Sequence, residues 1–104
     1  MSHDHARLTD LGMEDNSRRF ATFPKAVLWY RVRDHIAELR GATLSGFLCD
    51  DVTEAWIDFR YCNHAFTIND QFGQCLLFVN DPACPDNILI DVIGHFETLL
   101  GLPL

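Results

Sequence analysis

The chain of 104 residues carries fifteen acidic and eight basic residues, which gives a formal net charge of −7 at pH 7. This length supports one domain with a single core, and a negative field of this size disfavours nucleic acid and anionic membrane surfaces as partners. No apolar run approaches the roughly 18 residues that a membrane-spanning helix needs, and the N-terminal sequence lacks the apolar stretch of a signal peptide. We therefore expect a cytoplasmic protein of the acidic kind common among bacterial-type domains, with its four cysteines reduced.

The first part of the chain predicts an arm followed by a helix. Residues 1–21 are polar and show little periodicity, so we expect a flexible N-terminal arm, and residues 22–104 then form a single α+β domain. Thr22 suits the N-cap of a helix, Pro24 suits its first turn, and Gly41 stands where a C-terminal stop is expected. The apolar stripe of this helix consists of Leu28, Val32, Ile36 and Leu39.

The next segment predicts a strand over residues 42–50, joined to the following strand by a short antiparallel connection. A loop of two residues and a loop of four residues give the same parity of pairing. The predicted pairs are Leu44 with Phe59, Leu48 with Ala55 and Phe47 with Trp56. This register places both leucines on the core side and Phe47 on the opposite face, while Gly46 leaves room for a bulge or a closely packed helix.

Alternating apolar and polar side chains predict a hairpin in the middle of the chain. Residues 57–61 alternate with the period of a half-buried strand, and the alternation resumes over residues 66–69. We interpret Asn63 and His64 as a two-residue turn between these strands. The predicted pairs are Tyr61 with Phe66 and Phe59 with Ile68. This register places the large apolar side chains on one face.

The fourth strand, predicted over residues 74–80, breaks the alternation because residues 75–79 are all apolar. Both of its faces are therefore expected to be buried. If the connection consists of residues 70–73, Leu76 and Phe78 lie on the outer face. If it is one residue longer, Cys75, Leu77 and Val79 lie there instead.

A closing helix begins at Pro85 and Asp86 and ends at Gly101. The predicted fold is a two-layer α+β domain with a four-stranded antiparallel meander and a helix at each end, in the order α-β-β-β-β-α. Either both helices lie on one face of the sheet, or one helix lies on each face.

The outer face of the predicted sheet is the candidate binding surface. Its predicted residues are Phe47, Trp56, Asp58, Arg60, Thr67, Asn69 and Phe78. An apolar strip beside polar groups is typical of a partner surface or a ligand groove. Three explanations remain open: cover by the closing helix or the N-terminal arm, self-association, and binding of a ligand or another protein.

Cysteine and histidine residues give weaker candidates for a metal site or a reactive thiol. Cys62 and His64 form a C-x-H pair at the predicted hairpin tip, but structural zinc usually needs a second close pair, which the sequence lacks. Cys84 precedes a helix N-terminus, where a thiolate is stabilised, and His64 is its candidate base. Packing thiols explain these cysteines more simply, so we expect no metal, no cofactor and no catalytic residue.

The sequence thus favours a non-enzymatic binding protein that acts through its apolar sheet face, with a second copy or another protein as its partner. A homodimer is the leading interpretation. The alternative is a small-molecule-binding protein or minor enzyme with a pocket on the same face.

Overall fold

The computed structural model describes residues 11–12, 17–24, 29–49, 55–71 and 73–101. They form an α+β structure with two helices and an antiparallel sheet of five long strands, extended at one edge by a two-residue strand. The elements are β1 (Leu11–Gly12), β2 (Arg18–Pro24), α1 (Trp29–Ile36), β3 (Thr43–Cys49), β4 (Ala55–Tyr61), β5 (His64–Gln71), β6 (Gln74–Val79) and α2 (Asp86–Leu100). Their order across the sheet is β1-β2-β6-β5-β4-β3.

The predicted element order is wrong at its start, because the strand β2 precedes α1. The meander β3–β6 is present, but the sheet has a fifth long strand, and α1 lies between β2 and β3 instead of opening the fold. Thr22 and Pro24, predicted to begin the helix, lie in β2, and the helix begins at Trp29. Residues 18–21 of the predicted arm also belong to β2, whereas residues 1–10 and 13–16 lie outside the described residues.

Pairing with β6 explains why β2 is a strand. Phe20, Ala21 and Phe23 are buried in the core, and β2 runs antiparallel to β6 with an irregularity between Arg19 and Ala21. Because β2 and β5 flank β6, the apolar run of β6 belongs to an interior strand.

The β4–β5 hairpin has the predicted faces but a different turn. Cys62 and Asn63 form the two-residue turn, with φ angles of 52° and 66°, so Tyr61 pairs with His64 and Phe59 pairs with Phe66. The predicted pairs were wrong by two residues. Since side chains alternate with a period of two, this shift leaves every side chain on its predicted face.

The β3–β4 pairing contains a bulge that changes the faces of β3. Leu44 pairs with Phe59 as predicted, but the register shifts between Leu44 and Gly46. Beyond this point Phe47 pairs with Ile57, and Leu48 pairs with Trp56. The predicted pairing of Leu48 with Ala55 is therefore wrong, since Cys49 is the partner of Ala55.

Both helices pack on the face of the sheet that carries Phe59, here called the inner face. The rings of Phe59 and Phe96 lie 6.2 Å apart, and the Arg18 guanidinium forms a 3.6 Å ion pair with Asp86 at the start of α2. The helix α2 ends before Gly101, as predicted, where φ is 84°. The buried side chains of the helices are Trp29, Val32, Ile36, Leu89, Val92, Ile93, Phe96 and Leu100.

The predicted stripe of the first helix is found in part. Val32 and Ile36 are buried, and Leu39 packs against the core from the turn that follows α1. Leu28 lies outside the described residues. Gly41, the predicted stop, has a φ of 91° and precedes β3. Within the described part of the chain, neither helix combines the length and apolar content needed to cross a bilayer.

Candidate functional site

The outer face of the sheet, opposite the helices, brings most of the predicted binding residues together. It carries Trp56, Asp58 and Arg60 on β4, Thr67 and Asn69 on β5, and Leu76 and Phe78 on β6. The cross-strand pairs on this face are Trp56 with Asn69, Asp58 with Thr67, Thr67 with Phe78, and Asn69 with Leu76. This parity corresponds to the shorter of the two predicted β5–β6 connections.

Phe47 is the exception among the predicted binding residues. The expectation that it lies beside Trp56 on the outer face is wrong, because the bulge in β3 turns it to the inner face, where it packs partly against the core. Leu48 takes its place beside Trp56. The alternation of β3 predicts Leu48 on the core side, although Gly46 indicates that a bulge is possible.

The carboxylate of Asp58 organises the polar part of the outer face. The indole Nε1 of Trp56 donates to Asp58 at 3.1 Å from Oδ1 and 3.2 Å from Oδ2, and the Thr67 hydroxyl donates to Oδ1 at 2.7 Å. Gly46, opposite Asp58 on β3, leaves space for this carboxylate, since a Cβ at that position would lie 3.3 Å from Oδ2. The carboxylate is therefore held by two neighbouring donors.

Asn69 is a buried polar residue whose amide oxygen finds no hydrogen-bond donor in the described part of the chain. Its side chain is only 7 % exposed, between Trp56 on β4 and Leu76 on β6, and its Oδ1 atom has no hydrogen-bond partner among the described residues. A buried acceptor without a partner costs about 1–3 kcal/mol of stability. The outer face therefore contains one acceptor that a ligand with an N–H or O–H group would satisfy.

Four exposed side chains surround the edge strand β3, and we call them the edge patch. Among the described residues, they are the large apolar side chains with the greatest exposure, between 40 % and 72 %. Leu48 and Trp56 are neighbours on the outer face. The edge patch consists of Tyr30, Leu44, Leu48 and Trp56.

Arginine residues lie around the edge patch. The Arg33 guanidinium lies 5.3 Å from the ring centre of Tyr30 and 5.1 Å from that of Phe47, which is the geometry of cation–π contacts. On β4, Arg60 is exposed, and its Nη2 atom is 3.5 Å from the carbonyl oxygen of Asn63. Basic side chains thus flank the apolar surface of the edge patch, and Arg33 is also paired with Asp34, with 2.9 Å between Nη2 and Oδ1.

The weaker thiol and metal candidates lie at the tip of the β4–β5 hairpin and in the turn before α2. Cys62 is exposed, and the Nδ1 atom of His64 is 4.0 Å from Asp81. Cys84 donates its backbone N–H to the Asp81 carbonyl oxygen and lies close enough to Asp81 to feel its charge. The fold thus brings this turn close to the hairpin tip, which the sequence did not indicate.

Cys84 has the chemistry of a buried packing thiol. Burial, followed by the charge of Asp81, raises the pKa of Cys84 to about 11, so its thiol is protonated at neutral pH and is a poor nucleophile. In the part of the chain that the structure describes, no three side chains of His, Cys, Asp or Glu form a group able to hold a metal ion.

Comparisons of the chain with models of protein families, with curated proteins and with solved structures found no match.

Proposed function

We propose that this chain is a non-enzymatic cytoplasmic binding protein that forms a homodimer through the edge patch and the adjoining outer face of β4. The observation that carries the proposal is the position of Tyr30, Leu44, Leu48 and Trp56 around one edge strand. Exposed large apolar side chains mark interaction surfaces, and tryptophan, tyrosine and arginine are the residue types that dominate binding energies.

The charge of the chain supports contact between copies at this place. Two like-charged molecules repel each other, so a surface of low negative charge is the favourable contact. Four of the eight basic residues belong to α1, β4 or the segment before β3, namely Arg31, Arg33, Arg40 and Arg60. These basic side chains offset part of the acidic charge near the edge patch, which reduces the repulsion between two copies there.

The proposal is tested by measuring molar mass in solution. The natural chain is expected to have twice its 11.9 kDa mass, and Leu48→Glu and Trp56→Glu are expected to give folded chains of the single mass, because each places a carboxylate in the contact. Ala83→Glu is the control, since it adds the same charge at an exposed turn that follows β6, three strands from β3. Light scattering gives the mass, and circular dichroism gives the folded state. A natural chain that is monomeric at every concentration, or folded variants that stay dimeric, would contradict the proposal.

A small polar ligand on the outer face is the second candidate, and the Oδ1 atom of Asn69, without a donor among the described residues, favours it. An amide, amine or guanidine ligand would donate to Asn69 and stack on the Trp56 ring, with Asp58 and Arg60 as charged neighbours. A panel of such compounds should raise the melting temperature of the natural chain but not of Asn69→Leu or of the pair Asp58→Asn and Arg60→Gln. Equal shifts for the natural chain and these variants would exclude this site.

A further inference from the structure

We infer that two copies of this chain join edge to edge through β3 in antiparallel orientation, so that their two sheets become one continuous sheet. The inference rests on the homodimer proposed above and specifies how its two copies meet. It is carried by the position of β3 in the sheet, by the composition of the strand and by the charges on either side of it.

The strand β3 forms one edge of the described sheet. It is the last strand in the order across the sheet, and among the described residues its strand partner is β4 alone. Every second backbone N–H and C=O group of an edge strand points away from its sheet neighbour. These groups are available to the strand of another chain.

The composition of β3 leaves this edge without chemical protection. Its sequence, TLSGFLC, contains neither a charged residue nor a proline, although soluble proteins commonly use lysine or proline to keep edge strands from pairing. Its outer face presents Leu48, which is 72 % exposed beside Trp56. On the inner face, Tyr30 from α1 packs against Phe47 with 5.7 Å between ring centres. Exposed apolar side chains thus flank the backbone groups of β3 on both faces.

The bulge in β3 shortens the part of the strand that is able to pair with a second copy, but a regular part remains. Ser45 has no partner on β4, and a bulge of this kind twists an edge strand locally. Residues 46–49 pair one-to-one with residues 58–55 of β4. This regular stretch of four residues gives a second strand a straight template.

The charged residues that precede and follow β3 in the sequence favour one orientation. Arg40 precedes the strand, and Asp50 and Asp51 follow it directly in the sequence. An antiparallel arrangement places the basic end of one strand near the acidic end of the other, whereas a parallel arrangement would align like charges. A two-fold axis perpendicular to the sheet produces the antiparallel arrangement and uses the same surface of both copies.

Hydrogen exchange at single-residue resolution tests the edge pairing directly. The natural dimer is compared with the Leu48→Glu variant, which is expected to be a folded monomer. Alternate amides of β3 should exchange at least tenfold more slowly in the dimer, because their N–H groups then donate to the second copy. The amides of Asp81 and Ala83, in the turn that follows β6 three strands from β3, should exchange equally in both.

The outcomes separate this inference from the proposed function. A dimer in which the outward amides of β3 exchange as fast as in the variant would overturn edge pairing and leave the homodimer intact, with contact through side chains of the outer face. A chain that is monomeric at every concentration would overturn both proposals.

A charge exchange tests the orientation. At low salt, Arg40→Glu should weaken the dimer about tenfold, because it places a carboxylate near the acidic end of the partner strand. Adding Asp51→Arg in the same chain should restore most of the affinity. An Arg40→Glu variant with unchanged affinity, or a double variant no tighter than the single one, would overturn the antiparallel arrangement.

Discussion

The imidazole rings of His35 and His95 stack with 3.9 Å between their centres and an angle of 15° between their planes. The Nε2 atom of His35 donates to the backbone carbonyl of His95 at 2.7 Å, and the Nε2 atom of His95 donates to the carbonyl of His35 at 2.6 Å. His35 lies in the last turn of α1, and His95 lies in the middle of α2. This reciprocal pair joins the two helices.

Replacing either histidine by phenylalanine should lower the free energy of unfolding by about 0.5–1.5 kcal/mol. An aromatic ring remains for stacking, but one carbonyl loses the imidazole that donates to it and keeps its other donor, which is the Glu38 N–H for His35 and the Thr98 hydroxyl for His95. Urea denaturation measures the change. His64→Phe is the matched control, because His64 lies at a hairpin end, 4.0 Å from Asp81, and it should change stability by less than about 0.5 kcal/mol. Equal effects at all three positions would show that the reciprocal bonds contribute nothing.

Replacing Asn69 by leucine should stabilise the isolated chain by about 1–3 kcal/mol. The substitution removes a buried amide whose oxygen has no donor among the described residues and fills the space with an apolar side chain beside Leu76 and Trp56. Thermal and urea denaturation without added ligand measure the gain. Thr67→Val is the comparison, because Thr67 does have a partner, in Asp58, and its loss should destabilise. A destabilised Asn69→Leu variant would mean that the amide is satisfied in solution.

Stability should fall as the pH rises from about 9 towards 11. The pKa of Cys84 is raised from its ordinary value of 9.0 to about 11, first by burial, so the folded state keeps a proton that the unfolded state has lost. The stabilisation by the neutral thiol is complete below the unfolded pKa and is lost through this window. Burial, then hydrogen bonding to Cys62, also raises the pKa of Tyr61 above 10.0, which acts in the same direction.

Urea denaturation across this pH range tests the alkaline effect. Cys84→Ala should show a shallower loss of stability with pH than the natural chain, even though its stability at pH 7 is lower. Identical slopes for the natural chain and Cys84→Ala would contradict the assignment of the effect to this thiol.

The β4–β5 turn should become more stable with a better turn sequence. Both central residues have positive φ, which is the requirement of a type I′ turn, and cysteine pays a steric cost there that asparagine and glycine largely avoid. The double substitution Cys62→Asn and Asn63→Gly should raise the free energy of unfolding by about 1 kcal/mol. Urea denaturation measures the gain, and the single substitution Cys62→Gly, which keeps Asn63 in place, is the control and should gain less. A loss of stability in the double variant would show that the Cys62 side chain contributes more to packing than its exposed position indicates.

The sequence largely predicted which face of the sheet each side chain lies on. This is because a pairing that is wrong by two residues still leaves every side chain on the same face. The β4–β5 turn was placed one residue too late, yet Trp56, Asp58, Thr67 and Asn69 lie on the predicted face. The β3–β4 pairing lacks this protection. One bulge residue changes the parity, and it exchanges Phe47 for Leu48 on the outer face.

The strand β2 was not predictable from local signals, because two of its residues also suit a helix start. Thr22 and Pro24 fit the first positions of a helix, and the apolar residues of β2 become meaningful only through pairing with β6. The cluster around Asp81 was not predictable for the same reason. Only the folded chain brings the turn at residues 81–84 close to the hairpin tip. Contacts distant in sequence leave no local periodicity.

The pairing of β2 with β6 also has a consequence during protein synthesis. Pro24 pairs with Gln74 and Arg18 pairs with Val79, so 50 and 61 positions separate the partners. The ribosome therefore releases β2 long before β6 exists, while β3, β4 and β5 are able to form their hairpins as they emerge. Until β6 emerges, Phe20 and Phe23 lack the strand beside which they are buried in the folded chain, so β2 is an exposed apolar segment for most of synthesis.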